Sequence, residues 1–231
     1  MNILGITLAR GGSKGVKGKN SLLLNGKPLL THTLKQIFDS CLFDFVAVSS
    51  DDDNLLKIAS DYGCKDIVIR PDAMATDNAP KLPVVRHCVE QIEKRYNTNM
   101  EICVDFDVTS PLRNIKDIIS VVQLCEEKSV SNVITGMPSR RSPYFNMVEL
   151  DNNSAPYLSK KLKKPVVRRQ DSPECYDMNA SIYAWKRDVL FNNNTIFLDN
   201  TRLYVMPEER SIDIDTPTDL KIVEYLMSSG T

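Results

Sequence analysis

The sequence predicts an α/β fold, a mostly parallel sheet flanked by helices. Two observations carry this. Short, nearly continuous apolar runs alternate with stretches whose apolar residues recur at helical spacing, the pattern of parallel strands buried on both faces. The 231 residues are enough to bury a sizeable core, in one α/β domain with an insertion or in two small domains.

In chain order, "NILGITLA" (2–9) reads as a buried strand, and "PLLTHTLKQIFDS" (28–40) places Leu29, Leu30, Leu34, Ile37 and Phe38 on one helical face. "FDFVAVSS" (43–50) is a second strand, and "DNLLKIASDYG" (53–63) a helix stopped by Gly63. "DIVIR" (66–70) is a third strand. "LPVVRHCVEQIEKRY" (82–96) is a helix with Pro83 in its first turn, where proline is tolerated. "EICVDF" (101–106) and "IKDIISVVQLCEEK" (115–128) are the next strand and helix, and "NVITGMP" (132–138) is strand-like. Residues 139–178 are polar and proline-punctuated, with strand-like "YFNMVEL" (144–150) before the turn "DNNS"; they read as an insertion. Alternation resumes with "ASIYAW" (180–185), "RLYVM" (202–206), strand-like "SIDID" (211–215) and a helix from about Pro217 to Met227. Ligands of such sheets bind beyond the carboxyl ends of the strands, so the loops at 10–20, 50–53, 70–79 and 107–113 are expected to share one crevice.

Composition removes several function classes. Lys and Arg number 29 against 30 Asp and Glu, for a net charge of −1, so no whole-chain field points to nucleic acid or to an anionic membrane. The N-terminus shows no signal-peptide pattern, and no apolar run approaches the ~20 residues of a membrane span. The six cysteines, Cys41, Cys64, Cys88, Cys103, Cys125 and Cys175, are scattered without C-x-x-C pairs. They read as free thiols in a reducing, cytoplasmic setting.

The stretch "LARGGSKGVKGKN" (8–20) concentrates Arg10, Lys14, Lys17 and Lys19 among glycines at 11, 12, 15 and 18. It fails the G-x-x-x-x-G-K-[ST] loop, because Ser13 stands at the required first glycine and Asn20 at the hydroxyl. It also lacks the two-apart glycines of G-x-G-x-x-G. The physics of phosphate holding remains: glycines let backbone N–H groups form a concave nest, and the cations add charge. A solvated basic loop is the bland alternative. Near the other end, Asp213 and Asp215 lie two apart in "SIDIDTPTDL" (211–220) and share a face if the run is a strand. Neighbouring carboxylates repel unless a cation sits between them, and Mg²⁺ takes a few carboxylates plus phosphate oxygens. Capping of the last helix by Thr216 or Asp215 is the competing account. Asp51, Asp52 and Asp53 read mainly as helix-start residues, and His32 and His87 as residues of helices rather than bases. Together the loop and the carboxylate pair favour nucleotidyl transfer from a nucleoside triphosphate.

At this point the motifs "ARGGSKGVKGKN" (9–20), "VSSDD" (48–52), "RPDAMATD" (70–77), "TSPLR" (109–113), "RRQDSPECYDMNASIY" (168–183) and "SIDIDTPTDL" (211–220) resemble, in order and over nearly the whole chain, the cytidylyltransferases that make CMP-activated nonulosonic acids, the CMP-sialic acid synthetases and their relatives. The resemblance is greatest to bacterial CMP-legionaminic acid synthetases. Sialic acid enzymes usually show glutamine-proline before "TSPLR" and "NGAIY" later, where this chain has Asp107 and "NASIY". The family often has a serine near Lys81 that touches the nucleotide.

The resemblance implies a nucleotidyltransferase (Rossmann-like) core over 1–138 and 179–231 and a dimerisation insertion over 139–178 that reaches the partner's site in a homodimer. Arg140, Arg141, Arg168 or Arg169 would act across that interface. It implies Arg10, Lys14 and Lys19 as phosphate ligands for CTP, with Gly11, Gly12 and Ser13 in the loop and Asn20 nearby. Leu8, Ala9 and Arg70 would frame and read cytosine, and Asp213 and Asp215 would bind Mg²⁺. Asp107, Arg169, Gln170, Asn179 and Tyr183 would contact the sugar. The implied reaction is attack by the anomeric C2 hydroxyl of a nine-carbon keto acid on the α-phosphorus of CTP, with legionaminic acid favoured over N-acetylneuraminate as acceptor. Two other readings differ in class: a D-x-D glycosyltransferase, which needs no pyrophosphate cradle, and a nucleotide sensor, which needs no carboxylate pair. The run "KKLKKPVVRR" (160–169) reads as a solvated or dimer-facing basic stretch rather than a nuclear-localisation patch.

Overall fold

The computed structural model describes residues 1–12, 18–76, 78–164 and 167–229. Its strands and helices are β1 (Ile3–Leu8), β2 (Leu23–Leu24), β3 (Lys27–Pro28), α1 (Leu29–Ser40), β4 (Phe45–Ser50), α2 (Asp53–Asp61), β5 (Asp66–Ile69), α3 (Lys81–Tyr96), β6 (Ile102–Phe106), α4 (Ile115–Glu126), β7 (Asn132–Pro138), β8 (Val148–Leu150), β9 (Pro156–Leu158), β10 (Tyr176–Lys186), α5 (Arg187–Asn192), β11 (Thr201–Val205) and α6 (Pro217–Ser228). Seven strands form one sheet in the order β11-β7-β10-β6-β1-β4-β5. Every pairing is parallel except those of β10, which runs antiparallel to both β6 and β7.

Alternation along the strands decides the layers. Leu4 and Ile6 of β1 pack with Val85, Val89 and Ile92 of α3. Ile3, one residue away, belongs instead to the core that holds Ile37 of α1 and Ile118 and Val121 of α4. A third cluster joins Leu30 and Leu34 of α1, Leu55 and Ala59 of α2, and Val223 of α6. Three of the helix starts, those of α2, α4 and α6, are capped by their own side chains. Asp52 accepts the amides of Asn54 and Leu55 at the head of α2, and Asn114 with Asp117 forms a capping box on α4. Thr216 with Asp219 does the same on α6, with Pro217 in its first turn. Asp215 is therefore not the cap.

From β1 the chain builds β4 and β5 on one side and then returns to place β6 on the other. The crevice at such a switch point, beyond the carboxyl ends of β1 and β6, is where an open α/β sheet binds its ligand.

Three expectations change. "SIDID" makes no strand: residues 211–215 pass the sheet without a ladder, joined to the 107–113 loop by Ile214 N–H donating to the Thr109 carbonyl at 2.9 Å. The alternation survives without the ladder, because Ile212 and Ile214 sink into the α1–α2–α6 core. "YFNMVEL" is strand only over its last three residues, because the Ser142 carbonyl gathers the amides of Phe145, Asn146 and Met147 into a turn. β8 then pairs with β9 across "DNNS" as a separate hairpin. Finally, β10 begins at Tyr176, so residues 176–178 pair with β7 rather than standing outside the sheet.

β10 also carries a bulge. Met178 is paired with Gly136 and Tyr183 with Ile134, so β10 advances five residues while β7 advances two. The extra chain is accommodated by Ala180 at φ +51°, a left-handed conformation that costs a residue with a Cβ roughly 1–2 kcal/mol. Glycine removes that cost but gives back about 0.4–1 kcal/mol of it, because its unfolded chain is freer. Ala180→Gly is therefore expected to raise stability slightly. A higher urea midpoint with an unchanged slope is the expected result.

Candidate active site

The first loop is shaped by two glycines. A Cβ on Gly11 would lie 2.8 Å from Asp52 Oδ2 and 2.9 Å from Asp52 Cβ, so only glycine lets the chain pass over the head of α2. There the Gly11 N–H donates to Asp51 Oδ1 at 3.1 Å. Gly18 adopts φ +66° and begins a single 3-10 turn, Lys19–Ser21. Asn20, 7% exposed, donates from its amide to the Arg10 carbonyl at 2.8 Å and so ties the two ends of the loop together. Ser13 and Lys14 lie outside the described residues.

Beyond the strand ends lies a polar cavity of about 510 Å³. Leu8, Arg10, Lys19, Asn20 and Arg70 line it from the nucleotide side of the expected assignment. Asp107, Asp213 and Asp215 line it as well, although they come from distant parts of the chain. The 50–53 loop supports this cavity rather than lining it, through Asp51 and the cap Asp52. Ala9 is fully buried in the core, its N–H donating to Ser49 at 3.0 Å, so it stands behind the cavity. Arg70 is also buried, with its guanidinium on the Ser49 carbonyl at 2.8 Å.

The remaining expected sugar residues are not among those that line this cavity. Asn179 lies in the bulge and is buried. Its amide donates to Ser211 Oγ at 2.9 Å and its oxygen accepts from Thr135 Oγ1 at 2.7 Å, so it holds the 206–215 segment against β7. Tyr183 stacks on Trp185 and lies under the Lys81 ammonium, 4.4 Å from the ring centroid. Arg169 and Gln170 line a separate cavity of about 500 Å³ with Arg141 and Tyr176, and Arg169 donates to the Ser139 carbonyl at 2.7 Å. Arg140 is paired with Glu208, and Arg168 with Asp171.

Three buried groups that motif reading passed over position the site. Arg113, 2% exposed, donates to the carbonyls of Asp107 and Ser181 and to Thr33 Oγ1, each at 2.7 Å, and to Gln36 at 3.0 Å. It thereby fastens the 107–113 loop to α1 and to the bulge, and burial pushes its guanidinium down to about 10. Asp117 takes Arg210 in a two-pronged pair at 2.9 Å, which pins the chain just before Asp213. Asp105, 1% exposed on β6, lies 2.7 Å from Lys81 Nζ. Its sequence signal is plain in hindsight: one acid inside the apolar run "ICVDF".

Charge in the cavity is uneven. Burial, with the charges of Asp107 and Asp215, pushes the Asp213 carboxyl above its usual range. Asp213 Oδ1 is buried with no hydrogen-bond partner among the described residues. Asp215 is exposed and pairs with Lys19 at 2.9 Å. Burial would raise Asp107 too, but Lys81 and the two donors of Thr109 outweigh it and hold the carboxyl below its usual range.

The sequence model of the cytidylyltransferase family matches residues 4–228. The chain belongs to the cytidylyltransferase family. It is thus an enzyme of the nucleotidyltransferase class. A CMP-N,N'-diacetyllegionaminic acid synthase of Campylobacter jejuni subsp. jejuni serotype O:2 is 41% identical over 226 residues, spanning 98% of this chain and 95% of that protein. A pseudaminic acid cytidylyltransferase of the same organism is 29% identical, spanning 98% and 96%. Among solved structures, a CMP:2-keto-3-deoxy-manno-octonic acid synthetase complexed with CTP matches the fold at a TM-score of 0.72 and 18% identity, covering 100% of both chains. Among the described residues of this cytidylyltransferase, no helix is long and apolar enough to cross a membrane.

Proposed function

We propose that this cytidylyltransferase couples CTP to the anomeric hydroxyl of a nine-carbon nonulosonic acid of the legionaminic type, giving the CMP-sugar and pyrophosphate. One observation carries the reading: the basic loop end and the carboxylate pair, about 200 residues apart in sequence, line one cavity, where Lys19 meets Asp215. A cradle for a polyphosphate beside paired carboxylates is what nucleotidyl transfer needs. The 41% identity over nearly the whole chain to a CMP-N,N'-diacetyllegionaminic acid synthase supports the acceptor.

In this reading Arg10, Lys19 and the amides of the first loop hold the phosphates. Leu8, Ala9 and Arg70 shape the cytosine end. The charge that grows on the leaving pyrophosphate falls beside fixed cations, which is where electrostatic catalysis acts. Among the described residues no histidine lines the cavity, so the reading assigns no side chain as general base. Asp213 and Asp215 fit a divalent cation such as Mg²⁺. Both donors are hard oxygens, and the buried Asp213 oxygen lacks a hydrogen-bond partner among the described residues. Two carboxylates leave the rest of the shell to phosphate oxygens and water, as Mg²⁺ prefers. When bound, the ion would lower the acceptor hydroxyl's pKa and screen the α-phosphate.

The same reading makes residues 139–178 the dimerisation element. Its hairpin leaves Val148, Leu150 and Tyr157 exposed, and its basic cavity at Arg141 and Arg169 would meet a partner's site in a homodimer. A cytoplasmic location fits buried free thiols at Cys64, Cys88, Cys103 and Cys125.

The test is pyrophosphate release from CTP and Mg²⁺ with a panel of nonulosonic acids. N,N'-diacetyllegionaminic acid is expected to give the highest kcat/KM. A higher value with N-acetylneuraminate would move the acceptor assignment to sialic acid, leaving the nucleotide half in place.

A further inference from the structure

Lys81 and Asp107, the two positions singled out in the sequence as departures from the sialic acid enzymes, meet in the active-site cavity. Lys81 opens α3, and its Nζ lies 2.7 Å from Asp105 Oδ2 and 3.7 Å from Asp107 Oδ2. Asp105 is buried beneath it, and the Tyr183 ring packs against it. An ammonium has three N–H donors; Asp105 anchors it from one side. The separation from Asp107 is too long for a direct hydrogen bond, so the pair attract without closing on each other. On the other partner, Thr109 donates to Asp107 Oδ1 from its N–H at 3.2 Å and its hydroxyl at 2.9 Å. That fixes the carboxylate with Oδ2 towards Lys81.

We propose that Lys81 and Asp107 form a donor–acceptor clamp that selects the acceptor sugar by one of its hydroxyl groups, which accepts from the Lys81 ammonium and donates to Asp107 Oδ2. The inference rests on the sugar-activating reading above and names the chemistry of its specificity. An oxygen can lie about 2.8 Å from both charged atoms at their present spacing. A hydroxyl is the group that donates and accepts at a single atom. A carboxylate placed there would face Asp107, and an ammonium would face Lys81, so the clamp favours a neutral hydroxyl over a charged group of either sign. A sealed structural ion pair would have no such use, but both side chains line the cavity. Their neighbours hold them rigidly: Asp105 and Tyr183 under Lys81, Thr109 and the Arg113-bound loop under Asp107.

The experiment measures kcat and KM for sugar and for CTP in the full chain, comparing wild type, Lys81→Met, Asp107→Asn and the pair combined. Because Lys81→Met leaves the Asp105 carboxylate buried and unpaired, Lys81→Met/Asp105→Asn is the companion that keeps the fold. Each is expected to raise the sugar KM about tenfold or more while CTP KM stays within about twofold. The Lys81–Asp107 double variant is expected to lose no more than the worse single one, as for two halves of one contact. Among monodeoxy acceptors, one is expected to fall about 100-fold or more in wild type, and far less in Lys81→Met/Asp105→Asn. A rise in CTP KM with sugar KM unchanged, or deoxy penalties identical in wild type and variant, would overturn the clamp. Wild type that releases no pyrophosphate with any nonulosonic acid would instead overturn the sugar-activating reading, and the clamp with it.

Discussion

Asp213→Ala is expected to lower turnover by about a thousandfold or more while leaving the fold intact. The magnitude follows from losing a charge-stabilising group inside a fixed site, where one such group is worth about 10²–10³ in rate, together with loss of half of the protein's carboxylate pair. The fold should survive because nothing in the core depends on this carboxylate. Ile212 and Ile214 anchor the segment in the α1–α2–α6 core, Arg210 fixes it to Asp117, and Asn179 holds Ser211. A buried carboxylate oxygen without a hydrogen-bond partner among the described residues is a cost to the ion-free protein. Asp213→Asn is therefore expected to raise the Tm of the ion-free enzyme and to abolish the extra rise that CTP with Mg²⁺ gives wild type. Calorimetry of both proteins with and without CTP and Mg²⁺ checks this independently of activity. Equal Mg²⁺-dependent stabilisation of wild type and Asp213→Asn would remove Asp213 from the ion site.

Lys19→Ala is the second large effect. Lys19 is set by the left-handed turn at Gly18, its side chain is 16% exposed, and it pairs with Asp215 at the mouth of the cavity. Removing it takes one cation from the pyrophosphate end and leaves Asp215 without its counter-charge there. A loss of about 10²–10³ in kcat/KM for CTP is expected, with sugar KM nearly unchanged. The pair itself adds little to folding, because Asp215 is 70% exposed and solvent screens such pairs to within about 1 kcal/mol. Steady-state kinetics with each substrate varied separately tests this. A Lys19→Ala enzyme that keeps its CTP kinetics and changes only in Tm would make Lys19 a structural residue.

Much of the sheet was legible because its code is local. Apolar runs such as "NILGITLA" and "EICVDF" can be satisfied only as strands covered on both faces, and each amphipathic stretch between them fixes a helix. The short α5 escaped because six residues carry no readable period. "SIDID" misled because alternation is shared by a strand and by any extended segment lying on a core; pairing depends on a free sheet edge that the sequence does not reveal. The cavity's basic and acidic halves were legible from residue chemistry at strand ends. The supports were not. Arg113 looked like part of a weak motif, yet its four partners come from α1, the 107–113 loop and the bulge, a meeting that only the fold creates. Arg169 and Gln170 share a motif with Asn179 and Tyr183, but none of the four lines the active-site cavity, and Arg169 and Gln170 line another.

On this reading the triphosphate in this cavity is a reactant, and attack by a sugar hydroxyl displaces pyrophosphate from it. The most direct measurement follows pyrophosphate and CMP-sugar together, with CTP, Mg²⁺ and N,N'-diacetyllegionaminic acid supplied singly and in combination. Pyrophosphate appearing only when all are present, in equal amount to the CMP-sugar, is the predicted result. Pyrophosphate released without the sugar, or CTP bound but never consumed with any nonulosonic acid, would contradict it.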